Sequence, residues 1–499
     1  MKVFLKDKNW IAIFAPQGYP SLESAKPLAK LYAGMTLLLT CFLANAELPD
    51  TVVSALNNAG IPQQNVSVYV QAVEGKNAIL SHNADKSMNP ASVMKLVTTN
   101  AALDLLTPAY RWKTEIYREG QVRNGVLDGH LIIKGYGDPS FKAQEFWRML
   151  MSLQQAGIRQ IKGDLIVDKS YFAKNVGARK TFDDETWRAY NAEPSAFLVN
   201  GRNTSFKFMA TETNVNVSQE FELPEVQIVN NMKPALGACG EWRNRFGYTV
   251  TPKANGATVT FNGSFSPDCG ERYLELSVFD DDQYAFYTFK KLWKELGGKF
   301  NGQIKIQDMP SSAVKVLEQF SDPLGYVERD INKWSNNLMA RQLLLTIGAE
   351  KLGAPATEAK GAAVLKDWLA SKSLNGKSLA ANELVVENGS GLSRIERISA
   401  EHLGQMLVSA YISPVMPELM ASLPILAQDG TIKKRLNDSA SANHAHLKTG
   451  SLDGVSAIAG YVLDANNHRH VLVMLVNHAK AGASKNAQDA LIEWVHQQP

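Results

Sequence analysis

Three short motifs carry side chains that could act together as a nucleophile, a base and a substrate-binding group. The first is a Ser-x-x-Lys formed by Ser92 and Lys95, at the start of an apolar stretch that runs to Leu106. A serine hydroxyl is a poor nucleophile until an adjacent base activates it. A spacing of three on a helix places both side chains on one face, with Cβ atoms about 5–6 Å apart. The pair therefore predicts an activated serine, provided that Lys95 is neutral.

Lys95 is neutral near pH 7 only if its surroundings lower its pKa. The reference pKa of about 10.4 must fall through burial or a nearby cation, and the positive end of a helix also favours a serine alkoxide. A second Ser-x-x-Lys, Ser312 to Lys315, lies in a strand-like stretch, where side chains three apart point to opposite faces. Context thus favours Ser92, although the tetrapeptide alone also fits a buried serine beside a snorkelling lysine.

The second motif is Ser335-Asn336-Asn337, a Ser-x-Asn pattern that recurs elsewhere in the chain. Residues two apart do not face the same way on a helix. Ser335 and Asn337 can share a site only from a turn between helices. The change from 330–334 to the apolar run that follows Asn337 allows such a turn.

The third motif is Lys448-Thr449-Gly450-Ser451, whose Lys-Thr-Gly occurs once. It precedes a strand-like run, so it can lie on an edge strand that lines a cleft. Lys448 offers a fixed cation, Thr449 a hydroxyl, and Gly450 room for a substrate against the backbone. An ordinary basic strand entry is the alternative for this motif taken alone.

The surrounding pattern indicates an α/β unit at both ends of the chain, interrupted by a β-rich block from 111 to 319. Alternating or apolar runs predict strands, and longer periodic runs predict helices. The predicted strands of the terminal unit are 65–73, 455–463 and 470–477; the predicted helices are 92–106, 284–296 inside the block, 331–347, 356–370, 400–411 and 487–495.

Residues 1–46 have the pattern of an export signal. An apolar run of signal-peptide length, 31–43, follows Lys26 and Lys30 and precedes a small-x-small site ending at Ala46. We predict cleavage after Ala46. A retained membrane anchor and a lipoprotein modified at Cys41 are the alternatives, the latter disfavoured by Thr40.

Composition excludes several classes of protein. Lys and Arg number 52 and Asp and Glu 49; without 1–46, which holds five lysines and two acids, the balance is 47 to 47. No basic arm therefore argues for nucleic acid, and a mean hydropathy of −0.18 excludes a polytopic membrane protein. Three cysteines exclude a disulfide-stapled mini-fold. Cys239 and Cys269 form a disulfide in an oxidising compartment, or else stay free and buried.

We predict no metal and no cofactor. His444 with His446, and His468 with His470, could each pair on one side of a strand, but the sequence shows no third ligand at zinc spacing. The chain contains no His-Glu-x-x-His, no Gly-x-Ser-x-Gly and no Walker loop.

The three motifs in this order resemble those of β-lactamases and penicillin-binding proteins. Ser92 and Ser335 are 243 residues apart, which is too far for a small β-lactamase. The chain is similar instead to the class C low-molecular-mass penicillin-binding proteins, the D-alanyl-D-alanine carboxypeptidase/endopeptidases (peptidase S13-like), in which a two-domain insertion separates these motifs. Three further runs also resemble this family: Lys134-Gly135-Tyr136-Gly137-Asp138-Pro139, Pro194-Ser195-Ala196 leading to Asn203, and Gly389-Ser390-Gly391-Leu392-Ser393-Arg394.

The resemblance implies an α/β (α+β) serine β-lactamase/DD-peptidase-like transpeptidase domain, with an antiparallel sheet flanked by helices and a large, mostly β, two-domain insertion. The implied domains are a catalytic domain from 47–112 and 320–499, a β-rich domain II from 113–199 and 290–319, and a nested β-rich domain III from 200–289.

The resemblance also implies a role for each motif residue. Ser92 is the acylated nucleophile, Lys95 its general base, and Ser335 a proton relay. Asn337 binds the substrate amide, while Lys448 and Thr449 bind the terminal carboxylate beside Gly450. The backbone N–H groups of Ser92 and Ser451 form the oxyanion hole. Asp184 (or Asp183) and Arg394 line a pocket for the peptide side chain.

The function so implied is that of a periplasmic D-alanyl-D-alanine carboxypeptidase and DD-endopeptidase, acting on peptidoglycan peptides through an acyl-enzyme and acylated by β-lactam antibiotics. A β-lactamase is the alternative enzyme, and a catalytically inactive cell-wall binding protein the alternative of another class. A peripheral membrane contact and the oligomeric state stay open at this point.

Overall fold

The computed structural model describes residues 47–174, 176–177, 183 and 187–498. The predicted signal segment 1–46 and Asp184 lie outside these residues. No helix in the described ranges is both long and apolar enough to cross a bilayer.

The helices of the described residues are α1 (Asp50–Ala59), α2 (Lys95–Leu106), α3 (Ala143–Gln155), α4 (Asp281–Glu295), α5 (Leu324–Lys333), α6 (Asn337–Leu352), α7 (Glu358–Ser371), α8 (Ala400–Tyr411), α9 (Met416–Ser422) and α10 (Lys485–His496). Short 3₁₀ turns join several of them. One of these, Ala91–Met94, runs directly into α2.

The strands are β1 (Val66–Ala72), β2 (Leu80–His82), β3 (Lys113–Arg123), β4 (Val126–Gly135), β5 (Gln160–Ile161), β6 (Leu165–Asp168), β7 (Thr204–Ala210), β8 (Val215–Gln219), β9 (Val226–Pro234), β10 (Phe246–Lys253), β11 (Gly256–Phe265), β12 (Arg272–Leu276), β13 (Lys299–Phe300), β14 (Ile304–Ile306), β15 (Val314–Phe320), β16 (Ser373–Leu374), β17 (Lys377–Ser378), β18 (Ala445–Leu452), β19 (Val455–Leu463) and β20 (Arg469–Asn477).

A five-stranded antiparallel sheet joins the two ends of the chain. Its order is β18-β19-β20-β1-β2, with β1 paired to β20 from Val66 opposite Val476 to Ala72 opposite His470. Strand β18, which carries the Lys-Thr-Gly motif, is at one edge of this sheet. The predicted antiparallel sheet assembled from both chain ends is therefore confirmed.

Both faces of this sheet are covered by helices. Along β20, Val471, Val473 and Leu475 pack in the cluster that contains α2 and α8. The alternate residues Leu472, Met474 and Val476 pack in the cluster that contains α1 and α10. Because successive side chains of a strand point to opposite faces, a strand buried on both sides needs the continuous apolar run that β20 shows.

The block between the chain ends is β-rich, and its described residues form three sheets. A seven-stranded sheet has β13-β5-β4-β3-β15 as its main path, and two three-stranded sheets have the orders β10-β11-β9 and β12-β7-β8. A disulfide joins Cys239 to Cys269, so the free-thiol alternative is wrong. Helix α4 matches the predicted 284–296, whereas α3 was missed in a region interpreted as strands. The limits of the three domains stay a prediction.

The single helix predicted over 331–347 is wrong. Helix α5 ends at Lys333 and α6 begins at Asn337. Ser335 between them adopts a φ of 57°, which breaks the right-handed helix. Asn336 then caps α6 by accepting a hydrogen bond from the backbone N–H of Met339 at 3.1 Å. This is the turn that the Ser-x-Asn motif required.

Candidate active site

Ser92 and Lys95 are in direct contact at the start of α2. Lys95 Nζ lies 3.1 Å from Ser92 Oγ. The 3₁₀ turn Ala91–Met94 presents the serine, which is partly exposed, while Lys95 on the next turn has no exposed surface. The structure thus brings together the hydroxyl and the amine that the spacing predicted.

Lys95 has two further hydrogen-bond partners from other elements. Its Nζ donates to Asn337 Oδ1 at 2.6 Å and to the backbone carbonyl of Ser390 at 2.5 Å. Burial lowers the pKa of Lys95 well below its usual value; the nearby Lys448 lowers it further, and Glu396 opposes the shift. The geometry therefore offers a buried amine of low basicity beside a hydroxyl that solvent reaches.

Lys448 approaches the same centre from β18. Its Nζ donates to Ser335 Oγ at 2.9 Å and to the carbonyl of Thr449 at 2.7 Å. Burial lowers the pKa of Lys448 to about 7. The Thr449 hydroxyl is 2.8 Å from that of the exposed Thr431. The α5–α6 turn and the edge strand thus meet at one buried cation.

Two glycines let the backbones around Ser92 approach closely. A Cβ at Gly450 would lie 2.6 Å from the carbonyl oxygen of Pro90 and 3.0 Å from the backbone nitrogen of Ser92. A Cβ at Gly391, whose φ is +81°, would lie 1.9 Å from the carbonyl oxygen of Ala91. Strand β18 therefore runs alongside the nucleophile turn, and Ser451 follows Gly450 along the exposed edge.

Of the residues expected to bind the peptide side chain, the structure describes Arg394 and Asp183. Arg394 is exposed and donates to the carbonyl of Asp453, just beyond β18, at 2.7 Å. Asp184 lies outside the described residues. Its neighbour Asp183 accepts hydrogen bonds from Tyr190 at 2.8 Å and Asn191 at 2.7 Å.

The motifs set aside at the sequence level fall elsewhere. Ser312 Oγ donates to Glu119 at 2.8 Å, and Lys315 pairs with Glu115 and Glu318. His468 and His470 both contact Asp464, at 3.2 and 3.0 Å. No group of three or more metal-ligating side chains is present among the described residues.

Sequence reasoning missed the contributions of Ser390 and Glu396. Ser390 acts through its carbonyl group, which no side-chain pattern reveals. Glu396 is two residues after the Gly-Ser-Gly-Leu-Ser-Arg run and has no exposed surface. A lone acidic residue following a glycine-rich turn was the only available signal.

A serine at a helix N-terminus, packed on an antiparallel sheet whose edge strand carries Lys-Thr-Gly, defines the β-lactamase/DD-peptidase class of fold. The sequence profile of the D-Ala-D-Ala carboxypeptidase 3 (S13) family matches residues 48–498, so the chain belongs to this family. It is accordingly a serine-type D-Ala-D-Ala carboxypeptidase.

Named relatives span nearly the whole chain. This chain is 24% identical over 487 residues to the D-alanyl-D-alanine carboxypeptidase DacB of Haemophilus influenzae, and the match covers 93% of this chain and 98% of that protein. It is 27% identical over 447 residues to a D-alanyl-D-alanine carboxypeptidase of Actinomadura sp., covering 85% and 79%. The crystal structure of penicillin binding protein 4 from H. influenzae superposes with a TM-score of 0.72 at 23% identity, covering 89% of this chain and 100% of that one, which shows the shared fold.

Proposed function

We propose that Ser92 is the nucleophile of an acyl-enzyme mechanism and that Lys95 is its general base. The observation that carries this proposal is the placement of the Lys95 amine 3.1 Å from Ser92 Oγ, in a buried setting that lowers its pKa. Lys95 accepts the hydroxyl proton as Ser92 Oγ attacks the carbonyl of D-Ala–D-Ala. The C–N bond then breaks, releasing D-alanine and leaving an ester on Ser92.

The leaving nitrogen must gain a proton, and water must then cleave the ester. Ser335, hydrogen-bonded to Lys448 at 2.9 Å, is placed to relay that proton. Lys448 and Thr449 bind the terminal carboxylate, and Asn337 binds the substrate amide. The backbone N–H groups of Ser92 and Ser451 stabilise the oxyanion; losing one such donor typically costs about 2.7–4 kcal/mol of activation free energy.

The same chemistry applied to a cross-link between two stem peptides gives endopeptidase activity. A cleft of about 1010 Å³ supports this part of the proposal, because Ser335 and Asn337 line it together with residues of the β-rich insertion. Trp334, Tyr190 and Phe221 contribute aromatic surface to it. A cleft of this size has room for a second peptide strand beyond D-Ala–D-Ala.

Peptidoglycan as substrate, acylation by β-lactams and a periplasmic location complete the proposal. The penicillin binding protein 4 of H. influenzae has a crystal structure in complex with a β-lactam, which supports the second of these points. That complex superposes on this chain with a TM-score of 0.68. The export pattern of 1–46 supports a location where peptidoglycan is present.

Mass spectrometry after incubation with penicillin G tests the nucleophile. We expect one adduct, on the peptide that holds Ser92. Ser92→Ala should abolish it, whereas Ser312→Ala, at the other Ser-x-x-Lys, should retain it in full. An adduct that persists in Ser92→Ala would overturn the assignment, and release of D-alanine from purified muropeptides tests the reaction itself.

A further inference from the structure

Glu396 is a buried carboxylate behind Lys95 that the proposed mechanism does not use. It has no exposed surface. Its Oε1 accepts three backbone hydrogen bonds, from the N–H groups of Glu387 at 3.0 Å, Asn388 at 2.8 Å and Gly389 at 2.8 Å. Successive N–H groups that converge on one oxygen form an anion cradle. The cradle curls the chain of 387–389 around the Glu396 carboxylate.

The segment 387–389 leads directly into the backbone group that contacts Lys95. Ser390 follows it directly, and its carbonyl accepts a hydrogen bond from Lys95 Nζ at 2.5 Å. The carbonyl of Gly389 accepts another from Thr98 Oγ1, one turn along α2, at 2.7 Å. The adjacent carbonyl groups of Gly389 and Ser390 thus accept hydrogen bonds from two side chains on one face of α2.

Glu396 is a buried acidic group close to a centre that holds two buried lysines, Lys95 and Lys448. Lys448 from β18 lowers the pKa of Lys95, and Glu396 raises it. From α6, the neutral amide of Asn337 faces it. Burial raises the pKa of Glu396, while the N–H groups of its cradle and Lys95 lower it.

We propose that Glu396 is a positioning residue for Lys95, holding the Ser390 carbonyl against the amine and supplying the counter-charge for the ammonium that forms when Lys95 takes the Ser92 proton. This inference rests on the proposed role of Lys95 as general base. It adds a structural cause for the orientation of the base and for its proton affinity.

Glu396→Gln separates the two parts of the role. Glutamine keeps an oxygen that can accept the three backbone hydrogen bonds but removes the charge. The expected readout is the pH profile of the second-order rate constant for acylation by penicillin. Because the negative charge of Glu396 raises the pKa of Lys95, its loss lowers that pKa further, and the acid limb should move to lower pH. The plateau should fall by roughly three- to tenfold, since a weaker base is less effective.

Two further variants make the result specific. Glu396→Ala also removes the acceptor of the cradle, so acylation should fall by about 100-fold across the pH range, together with the thermal midpoint. Glu383→Gln is the matched control: its carboxylate accepts from the Ser399 N–H at 3.1 Å and from His402 at 2.7 Å, away from Lys95. It should leave the acid limb in place.

A Glu396→Gln enzyme with the wild-type acid limb would overturn the counter-charge role, whatever happened to its stability. A Glu396→Ala enzyme that is acylated at the wild-type rate would overturn the positioning role. If the wild-type protein itself gained no adduct at Ser92, the proposed function would fail instead, so the two failures are distinguishable.

Discussion

Lys448 Nζ donates a 2.9 Å hydrogen bond to Ser335 Oγ across a separation of 113 residues. One partner is on an edge strand and the other on a turn between helices, and Lys448 has no exposed surface. Ile331 of α5 and Met339 of α6 pack in the core on one face of the sheet, and Leu447 of β18 packs in the core on the other face. The fold itself therefore sets the position of the Lys448 amine before a substrate binds. Burial in the folded enzyme therefore determines the pKa of Lys448.

Recognition of a substrate carboxylate should weaken as the pH rises through about 7. Burial lowers the pKa of Lys448 to about 7, so its ammonium is lost above that value in the free enzyme. We expect the ratio of kcat/KM for a peptide ending in D-Ala–D-Ala to that for the corresponding C-terminal amide to fall between pH 6 and 9. The ratio cancels the titration of Lys95, which affects both substrates. A flat ratio would contradict the assignment of Lys448 to the carboxylate.

Replacing Lys448 by methionine should stabilise the protein. Below pH 7 the folded and unfolded states both hold the lysine proton, and the full cost of burying a cation is present. From pH 7 to about 10.5 the folded state has released the proton and the cost is progressively relieved. Lys448→Met should therefore raise the free energy of unfolding by about 1–4 kcal/mol at pH 6, and by less at pH 9.

Urea denaturation at both pH values measures this difference. The exposed Lys434→Met is the control and should stay within about 0.5 kcal/mol of the wild type. A Lys448→Met protein that is less stable than the wild type at pH 6 would show that the two hydrogen bonds of Lys448 outweigh its desolvation.

Gly391→Ala should disable the nucleophile. A Cβ there would lie 1.9 Å from the carbonyl oxygen of Ala91 and 2.6 Å from the backbone nitrogen of Ser92. The Ser92 turn must therefore move, and a displacement near 1 Å costs about 100-fold in rate. Gly376→Ala is matched in backbone conformation, with a φ of +77° against +81°, but its Cβ would meet nothing within 4 Å.

Both alanines carry a left-handed strain of about 1–2 kcal/mol, so both proteins should lose thermal stability. Only Gly391→Ala should lose penicillin acylation, measured as a second-order rate constant. Equal acylation by the two variants would mean that the approach of Gly391 to Ala91 does not fix Ser92.

How much of this site the sequence could predict depends on the kind of contact. The Ser92–Lys95 pair is local, so helix spacing was enough to predict it. Ser335 and Lys448 come from distant segments, and only the combined order of the motifs linked them to Ser92. The sequence predicted the helix break at Ser335 only in part. The Ser-x-Asn motif required a turn there, but the apolar period of 331–347 continues across Ser335, which has a positive φ. Helix α3 was missed because the flanking β-type runs dominated the interpretation of its region.

Backbone contacts were beyond sequence reasoning. The Ser390 carbonyl on Lys95 and the N–H cradle of Glu396 depend on the path of 387–391, and no side-chain periodicity encodes that path. The resemblance to a family named the Gly-Ser-Gly-Leu-Ser-Arg run but gave it a role only through Arg394, which is exposed. The buried chemistry of this loop instead comes from residues on either side of that arginine.

Trp334→Ala should slow cleavage of cross-linked peptides more than cleavage of monomeric ones. Its side chain is 61% exposed, directly precedes Ser335 and lines the cleft together with residues of the insertion. An exposed indole of this kind is typical of a binding hot spot, worth about 1–2 kcal/mol or more. We therefore expect kcat/KM for a cross-linked muropeptide dimer to fall roughly five- to thirtyfold, with a smaller loss for the pentapeptide monomer.

Leu236→Ala is the control, because Leu236 is 88% exposed and absent from the lining of this cleft. It should change neither value of kcat/KM. Equal losses for dimer and monomer in Trp334→Ala would mean that the indole acts only through its neighbour Ser335, and the cleft would then lose its assignment to the second strand.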